Sequence, residues 1–115
     1  YDPRKIKYMM DNKDIQMLPL QFVRGLTFED AVTIIDEAQN LTMPQLKMIL
    51  SRIGNNSRII LCGDTDQIDL KRVNESGLFR LSQAQINGMC TITLTEEHRK
   101  PIVIDILKYF KEQGF

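Results

Sequence analysis

Val32-Thr33-Ile34-Ile35-Asp36-Glu37-Ala38-Gln39 is an apolar, β-branched run that stops on two adjacent carboxylates. From Ala31 to Ile35 the chain is continuously apolar or β-branched, the pattern of a strand covered on both faces, which half-exposed antiparallel strands rarely show. The stretch therefore predicts a parallel sheet, and it sets Asp36 and Glu37 at the carboxyl end of a strand. Ligands of open parallel sheets gather at that rim.

Reading onward, Thr42-Met43-Pro44-Gln45 has capping-box spacing, with Pro44 tolerated in a first turn. Leu46, Ile49, Leu50 and Ile53 follow at helical spacing, and Gly54-Asn55-Asn56 offers a left-handed stop. Arg58 to Cys62 predicts a second strand, which breaks at Gly63-Asp64. A helix is expected from about Glu75 to Gly88, with Leu78, Leu81 and Gln85 on one face. Cys90 to Thr95 alternates apolar residues with threonines, the pattern of a strand covered more on one face than the other. Pro101 suits the first turn of a last helix in which Ile102, Ile106, Tyr109 and Phe110 share a face, ending near Gly114. Right-handed crossovers through the helices would join the strands. Reading backward, Phe22 to Leu26 fits a loop or single helical turn, Ile15 to Leu18 a short strand stopped by Pro19, and residues 1–14 a basic helix end followed by a turn.

The chemistry sits at the strand ends. A carboxylate closing a buried strand is poorly hydrated and gains by holding a hydrated magnesium ion, which makes Asp36 the metal-side candidate. Glu37 projects differently and can orient and deprotonate a water for attack on a terminal phosphate. In Gly63-Asp64-Thr65-Asp66-Gln67 a glycine stands where the backbone turns tightly, and an amide stands three residues past an acid, suited to sensing a γ-phosphate oxygen. The competing interpretation makes both segments solvated turns, with the acids capping the next helix. A nucleotide site also needs a glycine-rich phosphate loop ending Gly-Lys-Ser or Gly-Lys-Thr, and none occurs in these residues.

Bulk properties narrow the class. The 115 residues, 43% hydrophobic and 26% charged, suit one folded unit and exclude low complexity. Fifteen basic and fifteen acidic residues cancel, so contact with nucleic acid or an anionic surface would have to be a local patch. Cys62 and Cys90 lack metal-ligand spacing, and one histidine, His98, cannot complete a zinc site; both cysteines read as reduced core residues. No stretch approaches the roughly 20 apolar residues that cross a bilayer, and no secretory h-region is seen. The expectation is a cytoplasmic protein with no membrane partner. A chain that begins on Tyr1 is expected to be a processed or truncated product.

Pro19-Leu20-Gln21-Phe22-Val23-Arg24-Gly25, Ile35-Asp36-Glu37-Ala38-Gln39-Asn40, Leu46-Lys47-Met48, Arg52-Ile53-Gly54, Gly63-Asp64-Thr65-Asp66-Gln67-Ile68-Asp69-Leu70, Ser76-Gly77-Leu78 and Arg99-Lys100-Pro101 together resemble the PhoH family of ATPases. The resemblance runs from Ile15 to the C-terminus in the family's order. It implies an α/β fold, part of a RecA-like P-loop NTPase related to superfamily one helicases, with a mainly parallel sheet flanked by helices. Residues 1–115 would be the C-terminal portion of a single such domain. It implies ATP and Mg2+ as ligands, magnesium at Asp36, water activation by Glu37, γ-phosphate reading by the Gly63, Asp64 and Gln67 segment, and charge stabilisation by Arg99. Gln39 would link nucleotide state to the neighbouring loop. The fixed fork of an arginine suits paired phosphate oxygens, although Arg99 could equally pair with Glu96 or Glu97. The family shows Arg-His-Pro where this chain has Arg99-Lys100-Pro101 with His98 ahead, so the role of that histidine is not carried over.

The resemblance further implies RNA or DNA as the object of the work, and Arg24 as a residue facing nucleic acid, a neighbouring subunit's nucleotide or plain water. It puts the phosphate-loop strand between the strands at Arg58 to Cys62 and Cys90 to Thr95. Without that strand, a rearranged sheet or a homo-oligomer is expected, and weak ATP binding by these residues alone. The alternatives are a fragment of a superfamily one helicase motor and a non-catalytic interaction module.

Overall fold

A computed structural model describes residues 1–96 and 98–114. The chain divides into two units, Tyr1–Gln85 and Ile86–Phe115.

The first unit is built on a strand–helix–strand motif. β1 (Val32–Ile35) and β2 (Arg58–Leu61) pair in parallel, Val32 opposite Arg58 through Ile35 opposite Leu61. α2 (Met43–Leu50) connects them. It begins as the sequence predicts: the Thr42 hydroxyl accepts from the Gln45 N–H, and the Gln45 side chain accepts from the Thr42 N–H at 2.9 Å. Thr42→Ala removes this cap and should lower stability by about 1 kcal/mol; a urea titration followed by circular dichroism would read it as a lower midpoint with unchanged slope.

The helix stops earlier than its apolar spacing suggests. Ser51 is its C-cap, Ile53 instead bridges Phe28, and the left-handed residue is Asn56 at φ 52°, in the turn that feeds β2. Asp30, also left-handed, faces that turn, and Asn56 Nδ2 donates to its carboxylate at 2.8 Å. This clasp closes the amino-terminal end of the sheet. At a helix end or turn an Asp or Asn accepts the left-handed conformation more readily than most residues.

Leu46 and Ile49 of α2 are buried with Val23, Ala38 and Leu41, and Ile35, Ile59 and Leu61 pack on this cluster from the inner face of the sheet. α3 (Gly77–Ser82) closes the core from the other side, contributing Leu78 and Leu81. Ser76, wholly buried, caps α3 by accepting from the Phe79 N–H, and the Gly77 N–H donates to the Leu41 carbonyl at 2.8 Å. A β-carbon on Gly77 would lie 2.7 Å from Leu46 Cδ2, so only glycine lets α3 approach α2 this closely.

Several expectations are corrected. β1 is not covered on both faces: Val32, Ile34 and Ile60 are exposed, and only the alternate residues face the core. Residues 15–18 form no strand, and α1 (Pro3–Asp11) is a complete helix with Asp2 as its cap, whereas the loop or single helical turn expected from Phe22 is found, as a 3-10 turn over Leu20–Phe22 and a loop after it. The helix expected over 75–88 is reduced to α3, preceded by a 3-10 turn at Val73–Glu75. Cys62 and Cys90 are free thiols but exposed.

In the second unit, residues 90–95 are irregular rather than a strand. A strand is held by ladder hydrogen bonds to a neighbour, and alternation alone cannot supply them. α4 (Pro101–Glu112) does form, with Pro101 in its first turn as expected, and Ile102, Ile106, Tyr109 and Phe110 remain exposed on it. No helix among the described residues is long and apolar enough to cross a membrane.

Candidate functional site

The carboxyl ends of β1 and β2 form one rim. The hydrogen-bond ladder carries on past the strands, with the Cys62 N–H donating to the Ile35 carbonyl and the Ala38 N–H to the Cys62 carbonyl, both at 2.8 Å. Between them the backbone of Glu37 turns through the left-handed region, φ 52° and ψ 34°. A non-glycine residue held there stores strain of order 1 kcal/mol, and such strain persists only where surrounding bonds over-determine it. Here the Asp36 carboxylate accepts from the Glu37 N–H at 3.0 Å, and a 3-10 turn, Ala38–Asn40, follows at once. The turn lifts the exposed Asp36 and Glu37 onto the rim and drives Gln39 beneath it.

Gln39 is 1% exposed. Burying a primary amide is costly unless its groups are bonded, and three bonds satisfy it. Nε2 donates to Glu37 Oε2 at 2.6 Å and to the Gln67 carbonyl at 3.3 Å, while Oε1 accepts from the Asp64 N–H at 3.2 Å. One side chain thus ties the turn after β1 to the loop after β2. That loop is itself a tight turn: the Gln67 N–H donates to the Asp64 carbonyl, the Asp66 N–H to Asp64 Oδ1, and Gln67 Nε2 to Asp64 Oδ2 at 2.7 Å.

Gly63 is needed here for space rather than for an unusual φ. A β-carbon would lie 2.5 Å from Gln39 Oε1, 2.6 Å from Leu78 Cδ2 and 3.0 Å from the Gln39 backbone nitrogen.

The structure therefore brings Asp36, Glu37, Gln39, Gly63, Asp64 and Gln67 together on one edge of the first unit. Arg99 falls in the second unit, just before α4. Of the acids that could pair with it, Glu96 lies 3.4 Å from His98 Nε2, and Glu97 is outside the described residues. Arg24 is exposed beside Gly25, whose φ is 89°. Sequence reasoning gave no role to Asn40, which closes the 3-10 turn; its place directly after Gln39 at a strand end was the available signal.

Among the described residues no group of three or more His, Cys, Asp or Glu could hold a metal ion. A cation caged wholly by protein does not fit this rim. Magnesium does, because it is commonly held by one or two carboxylates together with substrate phosphates and waters, and exposed Asp36 supplies such a carboxylate.

A sequence model of the PhoH family, described as PhoH-like protein, matches residues 1–111. The chain belongs to the PhoH-like family. A PhoH-like protein of Bacillus subtilis is 39% identical over 110 residues, covering 92% of this chain and 34% of that protein. A PhoH-like protein of Synechocystis is 36% identical over 115 residues, 96% of this chain and 35% of that protein. Protein PhoH of Escherichia coli K12 is 50% identical over 64 residues, 56% of this chain and 18% of that protein. The chain thus spans about a third of the length of the first two relatives. PhoH proteins are P-loop NTPases, and the parallel β1–β2 pair with its helices is the α/β arrangement of part of a RecA-like domain.

Proposed function

We propose that this PhoH-like chain supplies the magnesium-binding, water-activating and γ-phosphate-sensing edge of an ATP-hydrolysing site. The single observation behind this reading is the buried Gln39 amide, bonded at once to Glu37 and to the backbone of the Asp64–Gln67 turn. A solvated turn has no need to sink an amide and satisfy it three times. A site that must hold a base and a phosphate sensor in fixed relation does, because misplacement by about 1 Å weakens both.

In this reading Asp36 holds the magnesium ion, which when bound with ATP neutralises charge on the phosphate oxygens. Glu37 accepts the proton of the attacking water, and its hydrogen bond from Gln39 aims the carboxylate. The side-chain amide of Gln67 donates to a γ-phosphate oxygen, exchanging its bond to Asp64 for the stronger one to a charged acceptor. The role of Arg99 in stabilising charge on the transferring phosphate, and the coupling of hydrolysis to RNA or DNA, are proposals that rest on the family resemblance alone.

The test is magnesium-dependent ATP hydrolysis by the product of the complete reading frame that contains these 115 residues. Turnover should need magnesium, and Asp36→Asn should raise the magnesium concentration for half-maximal rate about tenfold or more, as losing a ligand carboxylate weakens the ion's hold. Hydrolysis indifferent to chelation, or no hydrolysis at all, would count against the reading and favour a non-catalytic module.

A further inference from the structure

The loop after β2 is held at a third place. Asn40, the last residue of the 3-10 turn that carries Gln39, accepts from the Asp69 N–H through Oδ1 at 2.8 Å. Two consecutive side chains therefore grip one loop at three backbone positions: Gln39 at the Asp64 N–H and the Gln67 carbonyl, Asn40 at the Asp69 N–H. Gln67 itself carries the middle grip, flanked by the other two.

We propose that Asn40 is a positioning residue for Gln67, fixing the far flank of the sensor loop to the turn that bears the two acids. What Gln67 reads rests on the ATP-hydrolysis reading above; the pin itself does not. With Gln39 alone, the backbone at Gln67 would be tethered from one side, and the segment from Ile68 onward could rotate about that tether. The Asn40 bond removes the rotation. Asp66, Gln67 and Asp69 are exposed, so the bond secures a surface loop and not the core. It spans 29 residues and joins the two segments on which the chemistry is placed. Asparagine suits the task because its short neutral carbonyl accepts from a backbone N–H without adding a charge beside Asp36, Glu37, Asp64 and Asp69.

The experiment is hydrogen exchange and side-chain amide NMR on the 115-residue chain, in about 1 M salt, where the Debye length falls to about 3 Å and the charge introduced by Asn40→Asp is screened from its acidic neighbours. Asn40→Ala should speed exchange of the Asp69 amide about tenfold, the worth of one neutral hydrogen bond. It should also move the Gln67 side-chain amide signals toward those of a free glutamine, while the β1 and β2 amides stay protected. Asn40→Asp, which keeps an acceptor at the same reach, should restore both readouts. Unchanged Asp69 exchange in Asn40→Ala, or failure of Asn40→Asp to restore the Gln67 signals, overturns the proposal. Should Asn40→Ala unfold the chain, Asn40→Asp decides alone: a protected Asp69 amide with native Gln67 signals sustains the pin, and their loss refutes it. Neither readout uses nucleotide, so absence of ATP hydrolysis would defeat the functional reading and leave the pin standing.

Discussion

Glu37→Gln should reduce ATP turnover by the complete reading frame about a hundredfold or more while leaving the fold as it is. The first part follows from the role: a positioned general base contributes of order 10² to 10⁴ in rate, and a glutamine in its place cannot accept the proton. The second follows from the geometry. Glutamine has nearly the size of glutamate, its carbonyl can still accept from Gln39 Nε2, and the left-handed backbone at residue 37 costs either residue about the same. Stability should stay within about 0.5 kcal/mol, as for other exposed substitutions that leave neighbours satisfied. The measurement pairs steady-state hydrolysis with a thermal melt. Turnover at the unsubstituted level would remove Glu37 from the chemistry; a collapsed melting temperature would make the change structural.

Gly63→Ala should be the most damaging single methyl in the first unit. The new carbon meets three atoms at once, and one of them, the Gln39 nitrogen, is backbone that cannot rotate away. Inserting a methyl into a filled site commonly costs about 1 to 3 kcal/mol, and the upper end is expected here because the Gln39 amide is already fixed by its three bonds. At this chain size that is a fall in Tm of about 10 °C or more. Gln39→Ala should itself destabilise, since it strands the Asp64 N–H and the Gln67 carbonyl. The two changes share a cause, so Gly63→Ala combined with Gln39→Ala should cost clearly less than their sum. Simple additivity in a thermal-melt cycle would show that Gly63 is held for another reason.

The parts of the fold that sequence made visible are those in which a local signal and the packing agree. α2 declares itself through Thr42, Gln45 and the spacing of Leu46 and Ile49, and its cap, its face and its burial all follow. β1 and β2 were visible as unbroken apolar runs, α4 through Pro101. What failed depended on neighbours. The alternation at Cys90 to Thr95 has the right period, but among the described residues no strand pairs with it. The apolar residues Val32, Ile34 and Ile60 read as interior because a run of that kind is ordinarily covered twice, and here they are exposed. The helix expected to reach Gly88 ends at Ser82, where the sequence turns to Gln83-Ala84-Gln85 and offers no apolar face to pack.

At the site, residue types and their rim location were legible from the strand ends. The left-handed turn at Glu37, the sinking of Gln39 and the grip of Asn40 on Asp69 were not, because the sign of φ and the partner of a buried amide depend on atoms far away in sequence.

The uncovered side of the β1–β2 pair is also a surface on which two copies of this chain could touch. Val32, Ile34 and Ile60 present a greasy strip to water, and among the described residues no third strand pairs with either edge of the two-stranded ladder. Equal numbers of acidic and basic residues give no long-range repulsion to keep two copies apart at neutral pH. Ile34→Lys would break that strip at its centre, which lysines added on α1 would not do.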